Sequence, residues 1–239
     1  MKTVKPIKIK LDINLDFLSK IEETKVSTLI NKTQSYTKGK YSPSGTLKDN
    51  SQSYTKGEFS PSATLGGDSQ SYTKGDYSPS ATLGGKSKSE TENHRSPSAS
   101  LGINSISSTK GCHSHSVALE NSSQSYTEGE RAYSVTLSED SLCSTAGKDS
   151  IAVVLGRGSL VKAKSGYIII IEYGKYGDIK ATHGAKIGDK ILDVTIEPNK
   201  WYGFDKKGKF RMFTEEEVSL FKKDLNMIKE KEEDEKIRD

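Results

Sequence analysis

The stretch Ser51–Lys86 reads SQSYTKGEF SPSATLGGD SQSYTKGDY SPSATLGGK, and it decides the fold. A serine begins each of these nonapeptides, and the same spacing continues on both sides of the stretch. The leading position holds Ser42, Ser51, Ser60, Ser69, Ser78, Ser87, Ser96, Ser105, Ser114, Ser123, Ser141, Ser150 and Ser159, and only Thr33 and Ala132 interrupt the row. A fixed period of this kind is typical of stacked repeats in which each unit contacts its neighbours.

The nonapeptides alternate between two types, so the true repeat is a pair of nonapeptides. SQSYTKG begins at Ser51 and Ser69, whereas SPSATLG begins at Ser60 and Ser78. The alternation S-x-S-x-T has the period of two that is typical of a strand, and glycines follow where we expect the chain to turn. Two short strands and two corners fill one repeat. The pattern therefore predicts an all-β fold, a two-sided parallel β-solenoid in which each turn is one 18-residue pair.

The composition alone is also compatible with a disordered chain, but the repeat argues against disorder. Hydrophobic residues make up only 32% of the 239 residues, and Ser-rich polar chains of this kind are often disordered. A disordered tract has no need of a strict register, so we expect a folded solenoid. The net charge is +4 at pH 7, and no region is basic enough to make nucleic acid the default partner.

Lysine indicates which side chains of the SQSYTKG strand face inward, because an unpaired ammonium group is costly to bury. We therefore expect Ser, Ser and Thr to face inward, where their hydroxyls bond along the stack. The outward side chains form a candidate polar binding face, which consists of Tyr36, Lys38, Tyr54, Lys56, Tyr72, Lys74 and Tyr126. Stacked tyrosines stabilise a solenoid. The alternative is that interleaved Tyr and Lys bind a nucleic-acid strand or a sugar.

If Ser, Ser and Thr also face inward on the SPSATLG strand, then Pro, Ala and Leu of that strand face outward. The candidate interface consists of Leu47, Leu65, Leu83, Leu101, Leu119 and Leu137, with Val117 and Val135 beside them. An exposed apolar strip of this length is unusual for a monomer. A partner could cover it, most simply a second copy in a homodimer, or a terminal segment could do so. In the third alternative the leucines turn inward as ordinary core.

The repeat divides the chain into four parts. We expect a cap with a short amphipathic helix at residues 1–32, the solenoid at residues 33–165, a small β domain at residues 166–213 and a helix at residues 214–239. Caps protect the terminal strands of a solenoid from pairing with other chains. The segment YIIIIEY (Tyr167–Tyr173) predicts a strand, and Thr214 followed by three glutamates predicts the start of the helix.

The motifs of common active sites are absent from the sequence, so we expect a protein that is not an enzyme and needs no cofactor. His94 and Cys112 occupy the same position in successive repeats, but their spacing matches no standard zinc site. Every apolar run near the N-terminus contains lysine, and no segment is long enough to cross a membrane. We therefore expect a cytoplasmic protein without a signal peptide or membrane contact.

The repeat followed by YIIIIEY, AKIGDKIL and WYGFDKKGKF resembles a group of uncharacterised proteins of phages and mobile elements. In that group, nonapeptide repeats of the SxSxTxG or SAA type precede a short C-terminal β domain. The resemblance covers about residues 33–213 and implies no known activity. If the chain is phage-borne, it would act in the cytoplasm of the host cell.

Together, the repeat, the missing catalytic motifs and the resemblance favour a non-catalytic protein-interaction module. The resemblance suggests a phage-encoded inhibitor of a host defence system, similar in role to an anti-CRISPR protein. The alternatives are a structural or adhesive phage component and an ice-binding or nucleic-acid-binding solenoid.

Overall fold

Short strands stack into two long sheets, in a computed structural model that describes residues 26–28 and 34–223. The strands are β1 (Val26–Thr28), β2 (Gln34–Lys38), β3 (Ser44–Thr46), β4 (Gln52–Lys56), β5 (Ser62–Thr64), β6 (Gln70–Lys74), β7 (Ser80–Thr82), β8 (Lys88–Thr91), β9 (Ser98–Ser100), β10 (Ile106–Thr109), β11 (Ser116–Ala118), β12 (Gln124–Thr127), β13 (Tyr133–Thr136), β14 (Leu142–Thr145), β15 (Ile151–Val154) and β16 (Leu160–Ala163). Among these sixteen strands, the odd-numbered ones belong to sheet A and the even-numbered ones to sheet B. Each pairs in parallel with the strand one full repeat away, as in Ser62↔Ser80 and Gln52↔Gln70. The predicted two-sided β-solenoid is confirmed.

The leading serines fasten each corner to the corner of the preceding coil. Ser60 Oγ accepts a hydrogen bond from the Ser42 N–H (3.0 Å) and donates one to the Gly39 carbonyl (2.8 Å). Ser78 repeats both bonds one coil later, with the Ser60 N–H (2.9 Å) and the Gly57 carbonyl (2.8 Å). Corners lack ladder partners for these backbone groups, and a buried group left unpaired costs about 1–3 kcal/mol. This is the physical reason for the nine-residue serine row.

The third-position serines fill the interior between the sheets. Ser44 Oγ donates to Ser35 Oγ (2.7 Å), Ser53 Oγ to Ser44 Oγ (2.8 Å) and Ser62 Oγ to Ser53 Oγ (2.7 Å), so the chain of hydroxyls crosses from sheet to sheet. The side chains of these serines are buried, as the sequence predicts. A narrow interior of bonded hydroxyls explains how a chain with so few hydrophobic residues folds.

From β2 to β10 the fifth-position threonines behave differently in the two sheets, whereas further along sheet B Thr127 and Thr145 also lack a hydrogen-bond partner. In sheet B, Thr73 Oγ1 donates to the Ser78 carbonyl at 2.6 Å, and Thr55 makes the same bond to the Ser60 carbonyl. In sheet A, the buried hydroxyls of Thr46, Thr64 and Thr82 have no hydrogen-bond partner. The chain itself places Ala118 and Val154 in this same row of sheet A.

Thr73→Val and Thr82→Val form a matched pair that tests this difference. We expect Thr73→Val to lower the free energy of unfolding by about 1–2 kcal/mol, because the Ser78 carbonyl loses its bond from the hydroxyl. Thr82→Val removes a buried hydroxyl without a partner, so stability should stay constant or rise by up to about 1 kcal/mol. Urea unfolding followed by circular dichroism measures both. Equal losses in the two variants would contradict the assignment.

Most corner glycines have a different role from the one that the sequence indicates, since only a few of them, such as Gly39 and Gly57, have positive φ. Positive φ falls on the residue before the leading serine, and this residue is often bulky, as at Tyr41 (φ 58°) and Phe59 (φ 55°). A Cβ on Gly66 would lie 2.2 Å from the Lys48 carbonyl carbon. A side chain on Gly66 would therefore force the backbones of two successive coils apart, and the later coils that carry Glu120 and Ser138 at the equivalent position show that the corner can be built differently there.

The C-terminal strands continue both sheets. In sheet A, β17 (Tyr167–Tyr173) pairs in parallel with β15, and β18 (Ile179–Lys186) pairs antiparallel with β17. In sheet B, β21 (Lys200–Phe204) pairs antiparallel with β16, and β22 (Phe210–Phe213) with β21. A small hairpin of β19 (Lys190–Ile191) and β20 (Val194–Thr195) lies between them. The predicted β structure at residues 166–213 is confirmed, and it extends the solenoid sheets instead of forming a separate layer.

A helix follows β22 and covers residues 215–223 of the described chain. Thr214 Oγ1 accepts a hydrogen bond from the Glu217 N–H (3.1 Å), and the Glu217 carboxylate accepts one from the Thr214 N–H (2.8 Å), which is a capping box. Arg211 and the Thr214 N–H lower the pKa of Glu217 to about 2. Val218 is buried in a cluster with Leu160 and Trp201. The predicted helix start at Thr214 is confirmed.

The N-terminal boundary needs a correction. Strand β1 pairs with β3 in the register of the repeat, so the stacked strands begin by residue 26, not at residue 33. This first strand reads VST in place of SxT, so the repeat motif does not reveal it. The helix expected at Ile13–Ile21 and the end of the C-terminal helix lie outside the described residues.

Candidate functional site

Three rows of uncharged side chains cover the outer surface of sheet A, and we call them the apolar face. The central row is Gly45, Ala63, Ala81, Ala99, Val117, Val135, Val153 and Ile169. The leucine row is Leu47, Leu65, Leu83, Leu101, Leu119, Leu137 and Leu155, continued by Ile171. The proline row is Pro43, Pro61, Pro79, Pro97, His115, Tyr133, Ile151 and Tyr167.

The leucines of the candidate interface face outward. Leu65 is 50% exposed and Leu83 is 48% exposed, whereas the serine and threonine side chains between the rows are buried. Leu47, Leu101 and Leu137 are likewise exposed, and Leu119, Val117 and Val135 are partly exposed. The outward orientation is confirmed, and the alternative that the row forms ordinary core is wrong.

The apolar face lacks charge although the chain is rich in it. Charged residues make up 28% of the sequence, yet none of the three rows contains Lys, Arg, Asp or Glu. Only His115 can become positively charged there. Its partial burial lowers its pKa, and the nearby His113 lowers that pKa further, so both effects favour the neutral form. A large exposed apolar patch free of charge is typical of a protein-interaction surface.

The candidate polar binding face lies on sheet B, and its tyrosines stack on one another. The Tyr36 and Tyr54 ring centroids are 5.0 Å apart, and those of Tyr54 and Tyr72 are 4.8 Å apart, with interplanar angles of 9° and 12°. Each ring therefore covers the face of the next, which is the arrangement that stabilises a solenoid. Tyr126 stands apart from this stack, between Ser108 and Ser144.

The lysines of this face form a short stripe. Lys38, Lys56 and Lys74 are in register on adjacent strands. The stripe ends at Glu92, whose carboxylate lies 3.1 Å from Lys74 Nζ. Lys110 Nζ lies 3.2 Å from a Glu90 carboxylate oxygen, so the next coils carry both signs of charge. The structure brings together the predicted residues of this face except Tyr126, and it neutralises part of their charge.

A second aromatic stack, on one corner, is part of the solenoid scaffold. The Tyr41 and Phe59 centroids are 5.3 Å apart, and those of Phe59 and Tyr77 are 5.0 Å apart. The Arg95 guanidinium lies 5.4 Å from the Tyr77 ring centroid and continues the row.

The histidine and cysteine residues form a structural contact. The Cys112 N–H donates to His94 Nδ1 at 3.2 Å, so these residues lie above one another, as their spacing predicts. Within residues 26–28 and 34–223, no three His, Cys, Asp or Glu side chains are grouped so that they could hold a metal ion. In the same part of the chain, no helix has the length and hydropathy to span a membrane.

A cleft of about 1070 Å³ lies between the last coils and the C-terminal strands. Its cationic side chains include Arg157, Lys180 and Arg211, and its acidic side chains include Asp140. Burial raises the pKa of the Asp140 carboxyl. The Arg211 guanidinium is paired with the Glu217 carboxylate at 2.8 Å. Sequence reasoning missed this cleft, because it depends on how the C-terminal strands fold back.

Comparison with protein-family models, with curated proteins and with solved structures finds no match to this chain. The resemblance to repeat proteins of phages therefore stays a prediction.

Proposed function

We propose that the chain is a non-catalytic protein-interaction module that binds another protein through the apolar face of sheet A. The observation that supports this proposal is the exposure of the leucine row on a surface without charged side chains. Burying the exposed half of one leucine contributes about 1 kcal/mol. A row of such leucines provides a strong driving force for association. Because the sheet is already rigid, binding does not incur the entropy cost of ordering it.

The structure of the other surfaces favours this function over the alternatives. Ice binding needs ordered rows of threonine on the outside, and the threonines of the repeats are buried in both sheets. A nucleic-acid platform needs free aromatic faces for the bases. The rings of Tyr36, Tyr54 and Tyr72 stack on each other, and the lysine stripe ends at Glu92.

A finer proposal concerns the biological role of the chain. The resemblance to phage proteins suggests that the chain inhibits a host defence complex, as an anti-CRISPR protein does. Phage infection of a bacterium with an active defence system, with and without the expressed chain, tests this role. Equal phage survival in both strains would count against it.

Leu83→Lys tests the binding function itself. We expect this variant to lose its bound protein, because the partner would have to bury an unpaired ammonium group. The full-length tagged chain is incubated with bacterial lysate and with a second, differently tagged copy of itself. Captured proteins are then quantified by mass spectrometry.

Gln52→Lys is the matched control, since it adds the same charge to an exposed position on sheet B. The control should retain the partner that Leu83→Lys loses, and circular dichroism should show both variants folded. The proposed function is wrong if Leu83→Lys captures every protein, including the second copy of the chain, as well as the unmodified chain does.

A further inference from the structure

The central row of the apolar face changes in side-chain size along the rod. From β3 to β17 it reads Gly45, Ala63, Ala81, Ala99, Val117, Val135, Val153 and Ile169, with each residue in register with the next. The first half is small and the second half is large. The buried position of the same strands follows a different course, because it stays serine from Ser44 to Ser134 and becomes Ala152 and Ile168 only in the last two coils.

We infer that the apolar face binds a second copy of this chain, face to face, with the two rods antiparallel. This inference rests on the proposed function, because it names the occupant of the same face. In this arrangement the two-fold axis runs along the strand direction, between the strands of Ala99 and Val117. Each facing pair then joins one small and one large side chain: Gly45 with Ile169, Ala63 with Val153, Ala81 with Val135, and Ala99 with Val117.

Constant pair size matters because two packed sheets keep a nearly uniform separation of about 10 Å. Side chains must fill that gap at every coil, since voids forfeit dispersion contacts and overpacking strains the sheets. Parallel rods would place alanine on alanine at one end and valine on valine at the other. The observed gradient fits the antiparallel arrangement and opposes the parallel one.

The proline row carries a second gradient in the same direction. Its first four residues are prolines, and His115, Tyr133, Ile151 and Tyr167 follow. Rotation about the strand direction places this row on its own copy in reverse order, so that Pro61 faces Ile151 and Pro79 faces Tyr133. The leucine row has a constant size and faces itself in the same way. All three rows are therefore self-complementary under one symmetry operation, as an isologous interface requires.

The area of the face agrees with a dimer. Eight strands at about 4.8 Å and five residues at about 3.3 Å give a footprint of about 38 by 16 Å. Two such faces bury about 1,200 Å² in total, at the lower end of the range for stable protein interfaces.

A cysteine scan distinguishes the two arrangements. In a Cys112→Ser background, single variants Ala63→Cys, Ala99→Cys, Val117→Cys and Val153→Cys are treated with a short bis-maleimide. Cys143 stays in place because it is fully buried. In the antiparallel dimer, the substituted residues of the two copies of Ala99→Cys are one strand spacing apart along the rod, about 5 Å. The substituted residues of the two copies of Ala63→Cys are five strand spacings apart, about 24 Å.

We expect covalent dimers from Ala99→Cys and Val117→Cys, and none above background from Ala63→Cys or Val153→Cys alone. After subunit exchange, a mixture of the Ala63→Cys and Val153→Cys proteins should cross-link to a heterodimer. Gln52→Cys on sheet B measures random collision.

Each other outcome overturns the inference. Equal cross-linking of all four single variants would show parallel rods, and no cross-linking would show that no second copy lies on the face. If nothing cross-links while Leu83→Lys still loses a foreign protein, the inference fails and the proposed function stands. If neither experiment shows an effect, both are wrong.

Discussion

Gly66→Ala should destabilise the solenoid strongly, although it adds only one methyl group. A Cβ at this position would lie 2.2 Å from the Lys48 carbonyl carbon and 2.4 Å from the Asp49 nitrogen. These are backbone atoms of the preceding coil, so no side chain can move aside. Separating two stacked coils also breaks their ladder bonds. We expect the free energy of unfolding to fall by at least about 3 kcal/mol.

Gly67→Ala is the control, one residue further along the same corner. There the nearest atoms to a Cβ are the Gly85 carbonyl oxygen at 3.6 Å and Asp49 Oδ1 at 3.7 Å, which are ordinary contacts. We expect stability to stay constant or to rise by about 0.5 kcal/mol, because alanine restricts the unfolded chain. Urea unfolding measures both variants. A Gly66→Ala protein as stable as Gly67→Ala would show that the coils do not stack this closely.

Ala99→Lys should convert the proposed dimer into monomers. Two copies of the new lysine would lie close to the two-fold axis, in a gap already filled by side chains. Each unpaired buried charge costs several kcal/mol, so we expect the dimer to dissociate at least about 100-fold more readily. Sedimentation velocity over a range of concentrations measures the change.

Gln52→Lys is the control for the added positive charge, and it should sediment as the unmodified chain does. Ala99 lies on the outer side of sheet A, so the free monomer can hold the new lysine in water and should remain folded. Unchanged association of Ala99→Lys would mean that the central row is not in the interface.

The repeat register was predictable because few arrangements are compatible with a repeating unit of two short strands. The inward serines and threonines followed from the cost of burying lysine, and the structure confirms them at Ser53 and Thr55. The same alternation indicated outward leucines, although an inward orientation of that row remained open until the structure showed their exposure. These inferences depend on local spacing, which the sequence states directly.

Other features depend on contacts between distant residues and were not predictable. The role of Gly66 became clear only from the distance between coils, since glycine also suggests positive φ, which the structure places on residues such as Tyr77. The antiparallel pairing of β21 on β16 joins distant parts of the chain without a repeat to indicate the register. The size gradient from Gly45 to Ile169 gains meaning only when the row is known to face outward.

The mass of the full-length chain in solution tests the central claim most directly. The chain has a mass of 26.2 kDa. Light scattering on the purified protein should give twice this mass at micromolar concentrations, because the proposed antiparallel dimer places a second copy on the apolar face. A mass of one chain over the whole concentration range would contradict this account of the face.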